Sequence, residues 1–249
     1  MTVLVRPPDS IHAVDGGWFA ARWHFSFGDY RDPEQMGFGP LRVFNDDRLV
    51  PGAVWPLHPH RDVEGITYVI EGTFEHADSL GNGGVLRPGA IQRATLGSGM
   101  WHSERNGSAD APMRFLQFWI LPDTADLTPS VEQREFTIED RTGRLLRVAG
   151  PRPDDPVFVH QDASVHVARL DAGDEVRHPI GPGRGAYVYL IEGRATLGDA
   201  SDTPGEPIAT GAAARVFDEA ELRIAAAALS EVILVDVPLV WTPVGVWAR

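Results

Sequence analysis

The sequence predicts an all-β protein built from short antiparallel strands and made by duplication, and three observations point there. Its 249 residues include 26 glycines and 20 prolines, residues that shape turns far more often than they extend helices. Apolar and polar residues alternate in short runs, as in Ile66-Thr67-Tyr68-Val69-Ile70, between turn signals such as Gly81-Asn82-Gly83-Gly84 and Pro88-Gly89. That is the pattern of antiparallel strands joined by tight turns. Finally, Tyr68-Val69-Ile70-Glu71-Gly72 returns as Tyr189-Leu190-Ile191-Glu192-Gly193, each after a His-Pro pair, His58-Pro59 and His178-Pro179. Such self-similarity marks a repeated fold.

Taken in order, residues 1–50 hold two apolar runs, Val3-Leu4-Val5 and Leu41-Arg42-Val43-Phe44, around an aromatic segment from Trp18 to Phe27. The rings of Trp18, Phe19, Trp23, Phe25, Phe27 and Phe44, with Trp55, are enough to pack a core or to wall a pocket for a flat ligand. Asp29 to Pro33 and Gly37 to Pro40 read as loops that could shield a site. Phe115 to Leu121 is a buried-strand pattern, and Pro122 to Pro129 reads as a connection. The chain is therefore expected to divide into residues 1–130 and 131–249. In the second half, Leu145 to Ala149 is a strand, and although the alanines from Ala220 to Ser230 suggest a helix, the duplication makes Leu222-Arg223-Ile224 a strand instead.

Composition removes several kinds of chemistry. There is no cysteine, so disulfides within the chain, thiolate ligands and cysteine nucleophiles are excluded. There is no lysine among the 22 basic residues, which excludes a Schiff-base lysine and a Walker-type phosphate loop. The net charge of −13 argues against nucleic acid or an anionic membrane as partner. No apolar run reaches the roughly 18–20 residues of a membrane span, and the first ten residues lack a signal-peptide core, so a cytoplasmic location is expected.

The chemistry concentrates between Leu57 and Asn106. His58 and His60 open this stretch, and His102 and Glu104 close it. On a strand, residues spaced i, i+2 share a face about 6.6 Å apart, so each pair is half of a clamp if the two strands lie side by side. Three imidazoles and a carboxylate suit a divalent transition metal, at bond lengths of about 2.0–2.2 Å. Iron, manganese, cobalt, nickel, copper and zinc all accept this donor set. His76 reads as solvent-facing, and Glu64 and Arg61 as supporting or loop residues. Superimposing the two Glu-Gly pairs sends positions 60, 102 and 104 to Gly181, Arg223 and Ala225. His178 is thereby left alone, so a single metal is expected, in the first half.

These same residues carry a resemblance. His58-Pro59-His60-Arg61, Tyr68 to Gly72, His76, Asp78 to Asn82 and Gly97 to Glu104 resemble the signature of the pirin family, and Trp23 to Phe27, Arg42 to Asp47 and Val159 to Asp162 extend the match. Residues 1 to about 238 resemble the shorter bacterial pirin-like proteins with quercetinase activity. The resemblance implies a bicupin, two stacked antiparallel β-barrels of jelly-roll type. It implies one metal, Fe(II) first, in residues 1–130, held by His58, His60, His102 and Glu104. It further implies a dioxygenase that opens flavonols such as quercetin with O2 and releases CO. The family also contains iron-binding, redox-sensitive regulators that bind transcription factors or metabolic enzymes, and this is the rival reading. In the enzyme reading the partners are a planar aromatic substrate and O2, and Glu104 is both ligand and general base. An apolar cleft of about 300 Å³ or more at the metal would favour the enzyme, and a closed site the regulator. The segment from Val240 to Arg249 has no place in the family pattern.

Overall fold

The computed structural model describes residues 2–201, 205–218 and 220–248. Strands dominate, and regular helix among the described residues is confined to three short turns. Among the described residues no helix is long and apolar enough to cross a membrane. The chain forms two compact units that interleave in sequence. One comprises His12–Phe136, Val157–Gln161 and Thr242–Arg249, and the other Met1–Ile11, Thr137–Pro156 and Asp162–Trp241. A cut at residue 130 would give two continuous halves. Instead the first strand, Thr2–Arg6, pairs antiparallel with Ala213–Phe217 and so joins the C-terminal residues.

The unit containing His12–Phe136 is built from two antiparallel sheets. Seven strands follow the order Ser130–Arg134, Ile91–Thr95, Glu64–Glu71, Met113–Ile120, Leu41–Leu49, Phe19–Trp23 and His12–Asp15. Four more run Val54–His60, Met100–Asn106, Phe74–Asp78 and Gly83–Leu86. Phe74 and Leu86 of the smaller sheet pack against Val69, Met113 and Phe115 of the larger. Alternation along each strand supplies these inward faces. Because Phe74 is fully buried, Phe74→Ala is expected to lower the unfolding free energy by about 3–5 kcal/mol; urea titration followed by tryptophan fluorescence measures it.

The second unit repeats the plan with a six-stranded sheet, ordered Thr2–Arg6, Ala213–Phe217, Arg184–Glu192, Ser230–Pro238, Ser164–Leu170 and Leu146–Ala149. Its smaller sheet holds Glu175–Pro179, Glu221–Ala226, Arg194–Gly198 and Glu206–Ala209. Val176, Leu222 and Ile224 from the smaller sheet meet Val188, Val216 and Leu234 from the larger. Glu221–Ala226 is thus a strand despite its alanines: burial of alternate apolar side chains outweighs helix propensity. In neither unit do the strands join into one closed barrel. Each is a jelly roll with two separate sheets.

The C-terminal tail has a defined place. Trp247 Nε1 donates to the carbonyl of Asp62 at 2.9 Å, the Val246 amide donates to Asp62 Oδ2 at 3.1 Å, and Arg42 lies over the Trp247 ring. Asp62 sits in the turn after Val54–His60 with φ of 52°, a left-handed conformation that few non-glycine residues adopt. The tail packs against that turn.

Candidate metal centre

Strands Val54–His60 and Met100–Asn106 lie antiparallel, with His102 opposite His58 and Met100 opposite His60. This pairing brings the three imidazoles together. Their ligand atoms lie within 4.8 Å of one another, and the ring centroids are 4.4 Å apart for His58 and His102, 4.8 Å for His58 and His60, and 5.3 Å for His60 and His102. The register then shifts: Glu104 faces Trp55, so that three steps along one strand match two along the other. A bulge of this kind turns a side chain to a new face, and it places Trp55 beside His58 in the same cavity. Upstream of His102 the chain turns at Gly97, with φ of 35°, where a β-carbon would stand 1.8 Å from the Leu127 carbonyl oxygen. Only glycine permits that approach.

Glu104 falls outside the 4.8 Å set of imidazole atoms but borders it, with Oε1 3.5 Å from His102 Nδ1. Gln117 Nε2 donates to the same Oε1 at 2.6 Å. Burial raises the Glu104 carboxyl above its ordinary range, opposed by His58, by the Gln117 hydrogen bond and by His76. Burial also lowers His60 to about 3 and His102 to about 4, with the neighbouring imidazoles adding to the shift. Both rings are therefore neutral at pH 7, so the contact between His102 and Glu104 is not an ion pair.

The donor set fits a divalent transition metal. His102 Nε2 is buried with no hydrogen-bond partner, a costly state for a polar atom unless something binds it. His58 Nδ1 lies 2.7 Å from the Pro56 carbonyl; donating there fixes the tautomer and leaves Nε2 as a lone pair. Because burial keeps His60 and His102 unprotonated, neither of these two rings is expected to release a proton when a metal binds between pH 7.5 and about 5.5. Ordinary imidazoles would weaken binding below pH 6.5. Glu104, whose carboxyl burial raises, is expected to contribute a released proton, and Glu104→Gln should reduce the release. Calorimetry of metal binding in buffers of different ionisation enthalpy reads it directly.

Bordering the imidazoles lies a cavity of about 60 Å³, lined by Trp23, Phe27, Trp55, Phe115 and Trp119, with His58, His60, Glu104, Asn45, Asp47 and Gln117 as its polar members. Of the rings considered from the sequence, Trp23, Phe27 and Trp55 line it, Trp18 and Phe19 pack on Trp55, and Phe25 and Phe44 are fully buried core. Sequence reasoning missed Phe115, Gln117 and Trp119, although their i, i+2 spacing on one strand places them on one face. Trp119 packs edge-on to His60 at 4.6 Å.

Three expectations are corrected. His76 is half-buried rather than solvent-facing: it lies opposite Glu104, with Nε2 3.2 Å from Gln133 Oε1. In the second unit His178 is not alone. His178 Nε2 lies 2.6 Å from Asp236 Oδ2, and the His166 ring is 4.8 Å away. Strand pairing also sets Leu222, not Arg223, opposite His178, as His102 is opposite His58. Leu222 cannot coordinate a metal, and among the described residues the imidazole cluster of His58, His60 and His102 is the one group of metal-binding geometry. Away from the centre, Glu64 is fully buried and holds Thr95 and His160, while exposed Arg61 pairs with Asp126.

Comparison with known proteins agrees with this architecture. The family model named Pirin matches residues 7–120, and the one described as the quercetinase C-terminal cupin domain matches residues 147–237. A quercetin 2,3-dioxygenase of Escherichia coli K12 is 36% identical over 237 residues, covering 95% of this chain and 99% of that protein. A pirin-like protein of Caulobacter vibrioides is 36% identical over 237 residues, covering 93% and 97%. The crystal structure of the bacterial pirin YhhW from Escherichia coli in complex with nickel(II) aligns with a TM-score of 0.88 at 34% identity, covering 96% of this chain and 100% of that one. With both cupin halves matched and nearly the whole length shared with such relatives, this chain belongs to the pirin family of bicupins.

Proposed function

We propose that the protein is a metal-dependent dioxygenase acting on flat, hydroxylated aromatic compounds, with flavonols such as quercetin as the substrate class. The observation that carries this reading is the join of a polar clamp to an aromatic box: three imidazoles and a buried carboxylate on one side, five aromatic rings on the other. Relatives named quercetin 2,3-dioxygenase and a nickel(II)-bound relative support it. His58, His60 and His102 would hold the metal, with Glu104 as a fourth, weaker ligand. Iron(II) is the metal we favour. Bound there, a divalent transition metal would supply a Lewis acid and an electron relay.

The chain's own residues do the rest. Gln117 occupies Glu104 Oε1, which leaves the other carboxylate oxygen to accept the proton of a flavonol 3-hydroxyl. The raised proton affinity of Glu104, set by burial, suits a base that must take a proton near neutral pH. Trp23, Phe27, Trp55, Phe115 and Trp119 offer faces and edges to a planar ring and keep water away. A flavonol needs far more room than about 60 Å³, so this reading requires the ring walls to part on binding.

The small cavity favours a second reading, a non-enzymatic iron protein whose redox state alters its binding to a protein partner. Metal analysis of tag-free protein, followed by O2 uptake with a flavonol panel, separates the two. The enzyme reading expects quercetin to be consumed with O2 uptake and CO release, and flavones without the 3-hydroxyl to be left unchanged. No uptake, no CO and no metal-dependent shift of flavonol absorption across several reconstituted metals would leave the regulator.

A further inference from the structure

Strand Leu41–Leu49 sends Asn45 and Asp47 to the same face, across from Gln117 and Phe115 of the neighbouring strand. Both side chains line the cavity beside the imidazoles. Asn45 is 2% exposed and Asp47 6%. Among the described residues, no hydrogen bond or ion pair satisfies their side chains. Asn45 Oδ1 is buried without a hydrogen-bond partner, and the Asp47 carboxyl has no hydrogen bond or ion pair among the described residues. Adjacent Asp46 shows the contrast: it points to the other face, where Arg114 Nε and one terminal nitrogen clasp it at 2.9 and 2.6 Å. A core amide and a core carboxyl left unpaired cost stability that a purely structural role does not return.

We infer that Asn45 and Asp47 form a hydrogen-bonding wall that selects ligands carrying a hydroxyl group in addition to the oxygen pair that meets the metal. A hydroxyl both donates and accepts, so it satisfies an amide in either orientation. Burial, followed by the charges of Asp46 and Glu104, pushes the Asp47 carboxyl well above its usual range, and the protonated form likewise offers one donor and one acceptor. Asn45 and Asp47 are thus specificity-determining residues on the wall formed by the larger sheet. They are distinct from the metal clamp, whose imidazoles all come from the smaller sheet. The inference rests on the ligand class proposed above.

The test is an anaerobic absorption titration of the full-length, metal-loaded protein with two probes that share the 3-hydroxyl and 4-keto pair. Quercetin carries four further hydroxyls, and 3-hydroxyflavone none. The wild type is expected to bind quercetin at least about ten-fold more tightly. Asn45→Leu, of similar size but apolar, should bring that ratio to within about three-fold by weakening quercetin alone, with metal per chain unchanged. Asp47→Asn, which keeps a donor and an acceptor, should retain most of the preference. A wild type that binds both probes with equal affinity overturns the inference without any variant. So does an Asn45→Leu protein that weakens both probes alike. If the wild type binds neither probe, the proposed ligand class fails, and the selectivity wall fails with it.

Discussion

Replacing His58 and His60 together by alanine is expected to take bound metal from one equivalent per chain to none. The two rings sit side by side on Val54–His60 and face His102 across a single strand pairing, so the double variant leaves one imidazole of three. A lone imidazole does not hold a transition metal tightly, and Glu104, outside the close set, cannot restore the geometry. The second unit offers no replacement, since Leu222 stands where His102 stands in the first. Metal analysis by plasma mass spectrometry after dialysis, with circular dichroism to confirm folding, gives the answer. One equivalent retained by the double variant, or two equivalents in the wild type, would contradict a single centre on these residues.

Glu104→Gln separates ligand from base. The amide can still lie beside His102 and meet Gln117, so this variant is expected to keep more metal than His102→Ala, which removes the buried Nε2 that nothing else satisfies. Loss of an imidazole ligand should weaken metal binding by more than the roughly 10–100-fold typical of removing an outer hydrogen-bond partner. Flavonol turnover should nonetheless fall by about 10²–10⁴-fold in Glu104→Gln, because an amide cannot take a proton. Single-turnover O2 consumption at matched metal content measures it. A Glu104→Gln protein with wild-type turnover would reduce Glu104 to a structural neighbour of the clamp.

The sequence by itself determined the strand-rich fold, the duplication and two candidate same-face pairs, His58 with His60 and His102 with Glu104. Each of these rests on local periodicity: side chains alternate along a strand, so i, i+2 spacing is readable without coordinates. The tertiary structure decided whatever depends on register and on long-range partners. Trp55 lies three residues before His58 and joins it in one cavity because the strand bulges opposite His102 and Glu104, and a bulge has no signature in alternation. Asp46 and Asp47 are neighbours in sequence with opposite fates, because Arg114 waits on one face and the aromatic-lined cavity on the other. The placement of Thr2–Arg6 beside Ala213–Phe217, and of Trp247 on the Asp62 turn, also escaped the sequence. Backbone hydrogen bonds between strands carry no residue code, so which distant segment completes a sheet edge is settled only by how the whole chain packs.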